Sequence, residues 1–345
     1  MRTDDTTAEH KSVSTGPRRA RTAIVWTVLA LGGWTLAAAS VLVWWDNGLA
    51  HRPSEWTAEE RVSISLFGLV EVAILGFVAW LITRSRSPEL KRTYAELPKN
   101  ATARRELLGI VVYAIAAQVV GAALGTFLGW GPISFHLAGS LHTSHESVAV
   151  SAAIGWAAYN LLVYVALPLM WMRRRYSRRD LWLTSRRPGN DLAVILTVLS
   201  LESAVQIAVY GEELLALSPE ELIVGGLLAF SVSFVGTVLP TLVIVAALIV
   251  PRLLAITRSP TAAVIGGGVA YAALHTADGW TDYSSIPSAV VSFSLVFITY
   301  FGPGALKAYL TLRTTNAWVH AWAYHAVAPH LWADAPMFAR MAGFR

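Results

Sequence analysis

The sequence contains no cysteine, and only 14% of its 345 residues are charged. The missing thiols exclude disulfide bonds, thiolate metal ligands and cysteine nucleophiles. A nucleophile elbow of the Gly-x-Ser-x-Gly type, a phosphate-binding loop and a dinucleotide fingerprint are also missing. With 55% hydrophobic residues and 14 tryptophans, the composition is unlike that of a soluble globular domain.

Long apolar runs separate the few clusters of charge. A helix needs about 20 apolar residues to cross a hydrocarbon core about 30 Å thick. We therefore predict an all-α fold, a polytopic transmembrane bundle of about nine spans, at residues 22–45, 62–84, 107–130, 147–172, 191–210, 222–250, 261–277, 285–312 and 316–333. The last run carries three histidines and Pro329, so a helix that enters the membrane from one side is an alternative for it.

The basic residues predict the orientation. With a cytoplasmic N-terminus, all but four of the 27 Lys and Arg residues fall on the inner side, the exceptions being Arg52, Arg61, Arg340 and Arg345. The predicted protein is thus a multi-pass protein of the plasma membrane with the lipid bilayer as its main partner. Its net charge of +5 is explained by topology, so no nucleic-acid partner is expected.

We divide the chain into four parts. A disordered cytoplasmic N-terminus (1–21) precedes N-terminal transmembrane helices (22–155), a transmembrane core (156–333) and a C-terminal tail (334–345). A processed leader is an alternative for the first apolar run.

Most histidines fall away from the cytoplasm in this topology. Imidazole is costly in lipid unless it has a partner, so the distribution indicates a polar or metal-binding vestibule toward the outer side. Interfacial positions are equally compatible with His51, His136 and His320. His142 and His145, three residues apart in an outer loop, are a further candidate ligand pair.

Three features mark the second half of the chain. They are Tyr159–Pro168 followed by a basic run from Arg173, Tyr271 four residues before His275, and Gly302–Gly304 followed by Arg313 and later His325. In this order they resemble the CAAX protease and bacteriocin-processing (CPBP) family of intramembrane metalloproteases. The resemblance implies catalytic roles for His275 and His325, zinc as the candidate cofactor, and a peptide or membrane protein as partner.

The chain departs from the family pattern at its first motif. A Glu-Glu pair with an arginine four residues later is expected after a proline, but Thr241, Leu242 and Ala246 stand there. Pro329 likewise replaces the asparagine expected after His325. The resemblance therefore implies a CPBP-like membrane protein with proteolytic activity lost or altered, in the manner of a pseudoprotease. The pairs Glu212–Glu213 and Glu220–Glu221 are wrongly spaced for that motif and are interpreted as solvated or first-turn residues.

Two alternative functions remain open. The first is a divergent metal hydrolase that acts on peptides at the membrane, with His275, His325 and His330 as ligands and Glu202 as base. The second is a transporter or accessory protein whose outer histidines bind metal or sense pH.

The remaining candidates depend on helical spacing. His275 and Asp278, three apart, share a helical face and could contact each other or one cation. His320, His325 and His330 recur every five residues, which turns about 140° in an ideal α-helix, so a distortion at Pro329 would be needed to aim the last two together.

Two carboxylates and one glycine run lie inside the predicted spans. Glu71 and Glu202 should face the bundle interior, either as catalytic groups or as protonated side chains bonded to a neighbouring helix. Gly266–Gly268 indicates close helix packing.

Overall fold

The regular structure of this computed structural model is helical apart from one short β-ribbon. The strands β1 (Gly48–Leu49) and β2 (Arg52–Pro53) pair antiparallel, with Gly48 opposite Pro53. The structure describes residues 17–45, 48–49, 52–53, 57–87, 90, 93–94, 96–129, 149–278 and 281–344.

Ten helices follow one another along the described part of the chain. They are α1 (Pro17–Trp44), α2 (Ala58–Thr83), α3 (Asn100–Phe127), α4 (Val150–Arg173), α5 (Pro188–Leu215), α6 (Pro219–Thr257), α7 (Pro260–Leu274), α8 (Ile286–Thr314), α9 (Ala317–His320) and α10 (Ala335–Met341). Tight 3-10 turns extend α2 over Arg84–Arg86 and α7 over His275–Ala277. Helix α9 runs on into two π-helical turns, Ala321–His325 and Ala328–Ala333.

Seven of these helices are long and apolar enough to cross a membrane. Their spans are Arg21–Trp44, Ala58–Arg86, Asn100–Phe127, Val150–Arg173, Pro188–Val209, Pro219–Thr257 and Ile286–Thr314. The fold class of a multi-pass helical membrane protein is therefore confirmed, whereas the count of nine is not. The 15 residues of α7 extend only about 22 Å, and the segment from α9 onward is broken into short pieces.

Local chemistry accounts for where the helices begin. Thr57 caps α2 in a reciprocal pair of hydrogen bonds with Glu60, and Ser218 caps α6 in the same way with Glu221. Glu220 and Glu221 are thus first-turn residues, as interpreted from the sequence. Glu212 and Glu213 are exposed in the last turn of α5.

Prolines explain the irregular helices. Within α4, the π-helical turn Leu161–Ala166 lies just before Pro168, and within α6 the turns Phe234–Val238 and Leu242–Ile249 lie before Pro240 and Pro251. Proline has no N–H and collides with the preceding helical turn, so the i to i+4 hydrogen bonds are replaced there by the i to i+5 hydrogen bonds of a π-helix.

Helix α6 lies at the centre of the bundle. In the most apolar stretch of α6, 83% of the residues are buried inside the bundle, whereas only 17% are buried in the most apolar stretch of α1. The outer helices expose large apolar side chains such as Leu36 and Phe127, which is what contact with lipid requires.

One end of the bundle gathers the basic loops, and we call it the basic end. Arg86 at the end of α2 pairs with Asp191 at the start of α5 at 2.6 Å, and Asn316 after α8 donates to the same carboxylate at 2.9 Å. Arg252 near the end of α6 pairs with Glu106 in the first turns of α3 at 3.1 Å. These contacts join the ends of α2, α6 and α8 to the starts of α3 and α5. Such an arrangement is expected when successive spans cross the membrane in opposite directions.

Candidate functional site

Close packing of α7 against α8 brings Tyr271 to Lys307. A methyl group on Gly304 would lie 2.5 Å from the Tyr271 Cβ, and one on Gly268 would lie 2.9 Å from the Phe301 carbonyl. Glycine at both positions lets the backbones approach, so the packing predicted from Gly266–Gly268 is confirmed. As a result, the Lys307 ammonium nitrogen lies 3.6 Å from the centroid of the Tyr271 ring.

His275 ends α7, where the helix tightens into its 3-10 turn. Its Nδ1 lies 3.0 Å from the Asp278 Oδ2, which confirms that these two residues contact each other. Its ring stacks on Tyr300 with centroids 3.5 Å apart and planes within 5°. His275 and Asp278 are only 3% and 0% exposed, so the buried imidazole is held by the stacked Tyr300 ring on one face and by Asp278 at one nitrogen.

The three histidines of the C-terminal segment form a row. Ring centroids lie 6.1 Å apart for His320 and His325, and 5.2 Å apart for His325 and His330. In π-helical turns the hydrogen bonds run from i to i+5, so side chains five apart fall on nearly one face. The 140° separation of an ideal α-helix therefore does not apply to this segment.

Tyr271 connects the two groups of histidines. Its ring contacts His275 edge to face with centroids 5.0 Å apart, and its hydroxyl lies 3.4 Å from the His325 Nε2. Both contacts are buried. The residues that the CPBP resemblance singled out, far apart in sequence, thus lie side by side in the interior.

Carboxyl groups enter the same interior from α2 and α5. Glu202 on α5 is 2% exposed, and its Oε1 accepts a hydrogen bond from the Gln206 Nε2 at 2.9 Å. The carboxyl group of Glu71 on α2 lies against that of Glu202, and Glu202 acts electrostatically on Lys307.

Several imidazole nitrogens in this interior are buried without a hydrogen-bond partner. They are the Nε2 of His275, of His320 and of His330, and the Nδ1 of His325. The other nitrogen of His330 contacts the Asp334 carboxylate at 2.8 Å, just as His275 contacts Asp278. Imidazoles that bind metal commonly direct their second nitrogen to a carboxylate in this way.

These imidazole nitrogens are of a chemical type that commonly binds zinc. Within the described residues, however, no three His, Asp or Glu side chains are grouped closely enough to hold one ion. Asp278 lies behind His275, where it orients the ring. Zinc binding would require the free nitrogens of His275, His325 and His330 to turn toward one another.

Three residues stand where the CPBP resemblance leads one to expect the first motif, and all three lie in the apolar core. They are Thr241, Leu242 and Ala246. Leu242 and Ala246 are 1% and 2% exposed and belong to the core around α6, and Thr241 beside them is buried. No carboxylate comes from this helix at these positions, and the buried carboxyl groups of Glu71 and Glu202 come from α2 and α5 instead.

Sequence reasoning did not single out Lys307, Asp334 or Gln206. A signal for Lys307 was available, because an ionisable residue inside a span usually has a function or a partner. Asp334 follows His330 by four residues, and Gln206 follows Glu202 by four, so both pairs share a helical face. His142 and His145 lie outside the described residues, as do His51 and His136.

Comparison with known proteins finds no matching family model, no matching curated protein and no matching solved structure.

Proposed function

We propose that this chain is a CPBP-like intramembrane metal hydrolase with altered proteolytic activity, in which α5 supplies the acidic group that α6 lacks. The observation that carries the proposal is the buried Glu202, which has one oxygen without a partner in the same interior as Tyr271 and the histidines. Glu202 and Gln206 also have the four-residue spacing expected of the glutamate and arginine in the first family motif.

The imidazoles would hold the metal. His275 and His330 each keep Nε2 available while a carboxylate orients the ring from behind, and His325 keeps Nδ1 available while its Nε2 faces Tyr271. A divalent ion such as zinc, when bound, would polarise the scissile carbonyl and activate water.

We assign Glu202 the role of general base. Its Oε2 is free to accept a proton as a water oxygen bonds to the carbonyl carbon, and the same carboxyl then delivers that proton to the departing amine nitrogen. Gln206 fixes the other oxygen through its Nε2.

The depth of the site indicates the substrate class. Gly304, beside Tyr271, precedes the end of α8 by ten residues, which is about 15 Å or half of the hydrocarbon thickness. A peptide bond in or beside a membrane-embedded segment is therefore the fitting substrate. By the excess of Lys and Arg, the basic end faces the cytoplasm of a plasma membrane, with the N-terminus on that side.

Metal analysis of the purified full chain tests this proposal. We expect about one equivalent of zinc in the wild type. The His275→Ala/His325→Ala variant should lose it, while His320→Ala should retain it, because a hydroxyl of Thr311 rather than a carboxylate faces the Nδ1 of His320. Wild-type protein that is metal-free after loading with zinc and does not cleave membrane-embedded peptides would overturn the proposal.

A second candidate function rests on Glu71. Hydrolysis does not need this residue, yet its carboxyl lies against that of Glu202 beside Lys307. Paired ionisable side chains inside membrane spans commonly mark proton or ion pathways in transporters. If the wild type neither binds zinc nor cleaves peptides but carries protons into proteoliposomes, and Glu71→Gln abolishes that uptake, transport is supported in place of hydrolysis.

A further inference from the structure

An open cavity of about 310 Å³ lies at the basic end, and no histidine lines it. Its lining combines two guanidinium groups with apolar side chains, and consists of Leu169, Arg173, Arg178, Leu183 and Trp318. None of these residues is acidic, so the cavity offers positive charge and apolar surface together.

The loop that carries Arg178 is held in one conformation. Ser177 and Asp180 cap each other, with the Ser177 hydroxyl donating to the Asp180 carboxylate at 2.7 Å. The Leu183 N–H donates to the Arg178 carbonyl at 2.9 Å. Because these bonds order the backbone on both sides of Arg178, binding does not have to order the loop first.

Two further contacts fasten this loop to the bundle. The side chains of Leu181 and Trp182 are buried, and the Trp182 carbonyl accepts a hydrogen bond from the Ala317 N–H at 2.8 Å. The wall that carries Leu183 is thereby joined to the start of α9, which carries Trp318.

The cavity lies where lipid headgroups are found. Arg173 is the last residue of the membrane span Val150–Arg173, and Leu169 lies one turn deeper. Tryptophan is typical of this interface, since its ring is apolar and its N–H is polar. A ligand here would meet the guanidinium groups with its head and the leucines with the part that enters the bilayer.

We propose that this cavity binds the phosphate group of an anionic phospholipid. Guanidinium groups match phosphate oxygens through paired hydrogen bonds, and basic pockets beside transmembrane helices bind such headgroups. The chemistry shared with free phosphate is the anionic phosphate, but the leucines and the position at the end of α4 favour a lipid.

The test measures lipid binding to the full chain by native mass spectrometry in detergent, with phosphatidylglycerol, phosphatidylcholine and inorganic phosphate as separate probes. We expect one phosphatidylglycerol to bind well above phosphatidylcholine. The Arg173→Gln/Arg178→Gln variant should bind it roughly 30-fold more weakly, about fivefold for each arginine near the membrane surface. Both side chains are exposed, so the variant should fold.

The matched control is Arg174→Gln/Arg175→Gln, which removes the same charge from exposed neighbours that do not line the cavity. It should keep the wild-type affinity to within about threefold, less than the effect expected of one lining arginine. Equal losses in the two variants would mean that surface potential alone attracts the lipid and would overturn the site. Inorganic phosphate that displaces phosphatidylglycerol at equal concentration would overturn the assignment to a lipid.

Discussion

The ammonium nitrogen of Lys307 lies 3.6 Å from the centroid of the Tyr271 ring in the interior of the bundle. Glu202 is the acidic side chain that acts on this ammonium. The pair of residues therefore joins the carboxyl groups of α2 and α5 to the histidines of α7 and the C-terminal segment.

Removal of this ammonium should destabilise the bundle. We expect Lys307→Met to lower the free energy of unfolding by about 1–2 kcal/mol, because the contact of the Lys307 nitrogen with the face of the Tyr271 ring would be lost. Thermal unfolding in detergent measures the change. Adding Tyr271→Leu to Lys307→Met should cost less than the sum of the two single losses, and additive losses in the double variant would contradict this contact.

The glycine contact between α7 and α8 should tolerate no added methyl group. Gly304→Ala would place its Cβ 2.5 Å from that of Tyr271, and we expect a loss of about 1–3 kcal/mol in stability. Zinc content and activity should fall as well, because Tyr271 would shift. The control is Gly32→Ala in α1, where nothing lies within 4 Å and alanine should be neutral or slightly stabilising.

Two ion pairs at the basic end should differ in their energetic weight. Arg252 and Glu106 form a buried pair at 3.1 Å, with side chains 2% and 5% exposed. Arg252→Leu should cost about 3–5 kcal/mol, since it leaves a buried carboxylate unpaired.

The pair of Arg186 and Glu96 is the comparison. It has the same 3.1 Å separation, but the Glu96 side chain is 63% exposed. Arg186→Leu should cost less than about 1 kcal/mol. Similar losses in the thermal unfolding of Arg252→Leu and Arg186→Leu would show that burial does not set the difference.

The hydrogen bonds between Ser177 and Asp180, which order the loop that carries Arg178, should depend on pH. Chiefly the hydrogen bond from the Ser177 hydroxyl, and also its backbone N–H and nearby arginines, holds the pKa of Asp180 below its usual range. A carboxyl with a lowered pKa in the folded state stabilises the loop fully above its ordinary pKa of about 3.9, and this stabilisation disappears as the pH falls through the lower folded value.

Hydrogen exchange at the Leu183 amide, corrected for the intrinsic rate, measures this effect. Protection should fall at acid pH in the wild type. Asp180→Asn should already show reduced protection at pH 7, by under about 0.5 kcal/mol because the carboxylate is largely exposed. Full protection in Asp180→Asn at pH 7 would mean that the carboxylate does not hold the loop.

Much of the fold could be predicted from hydrophobic runs. The predicted spans 62–84 and 285–312 correspond to Ala58–Arg86 and Ile286–Thr314, because a membrane span must be apolar over its whole length and polar just beyond it. The same rule predicted that the run 261–277 spans the membrane. This run is apolar because it lies inside the bundle against α8, and its helix is too short to cross.

The sequence by itself determined that the protein is a multi-pass helical membrane protein and singled out His275, His325 and Glu202 as chemical candidates. Only the tertiary structure decided that these residues share one interior with Glu71 and Lys307. Hydrophobic runs and proline positions determine local structure, so their effects can be recognised from the sequence alone. The meeting of α2, α5, α7 and α8 depends on glycine contacts and π-helical turns between distant segments, and a periodicity of 3.6 residues contains no information about either.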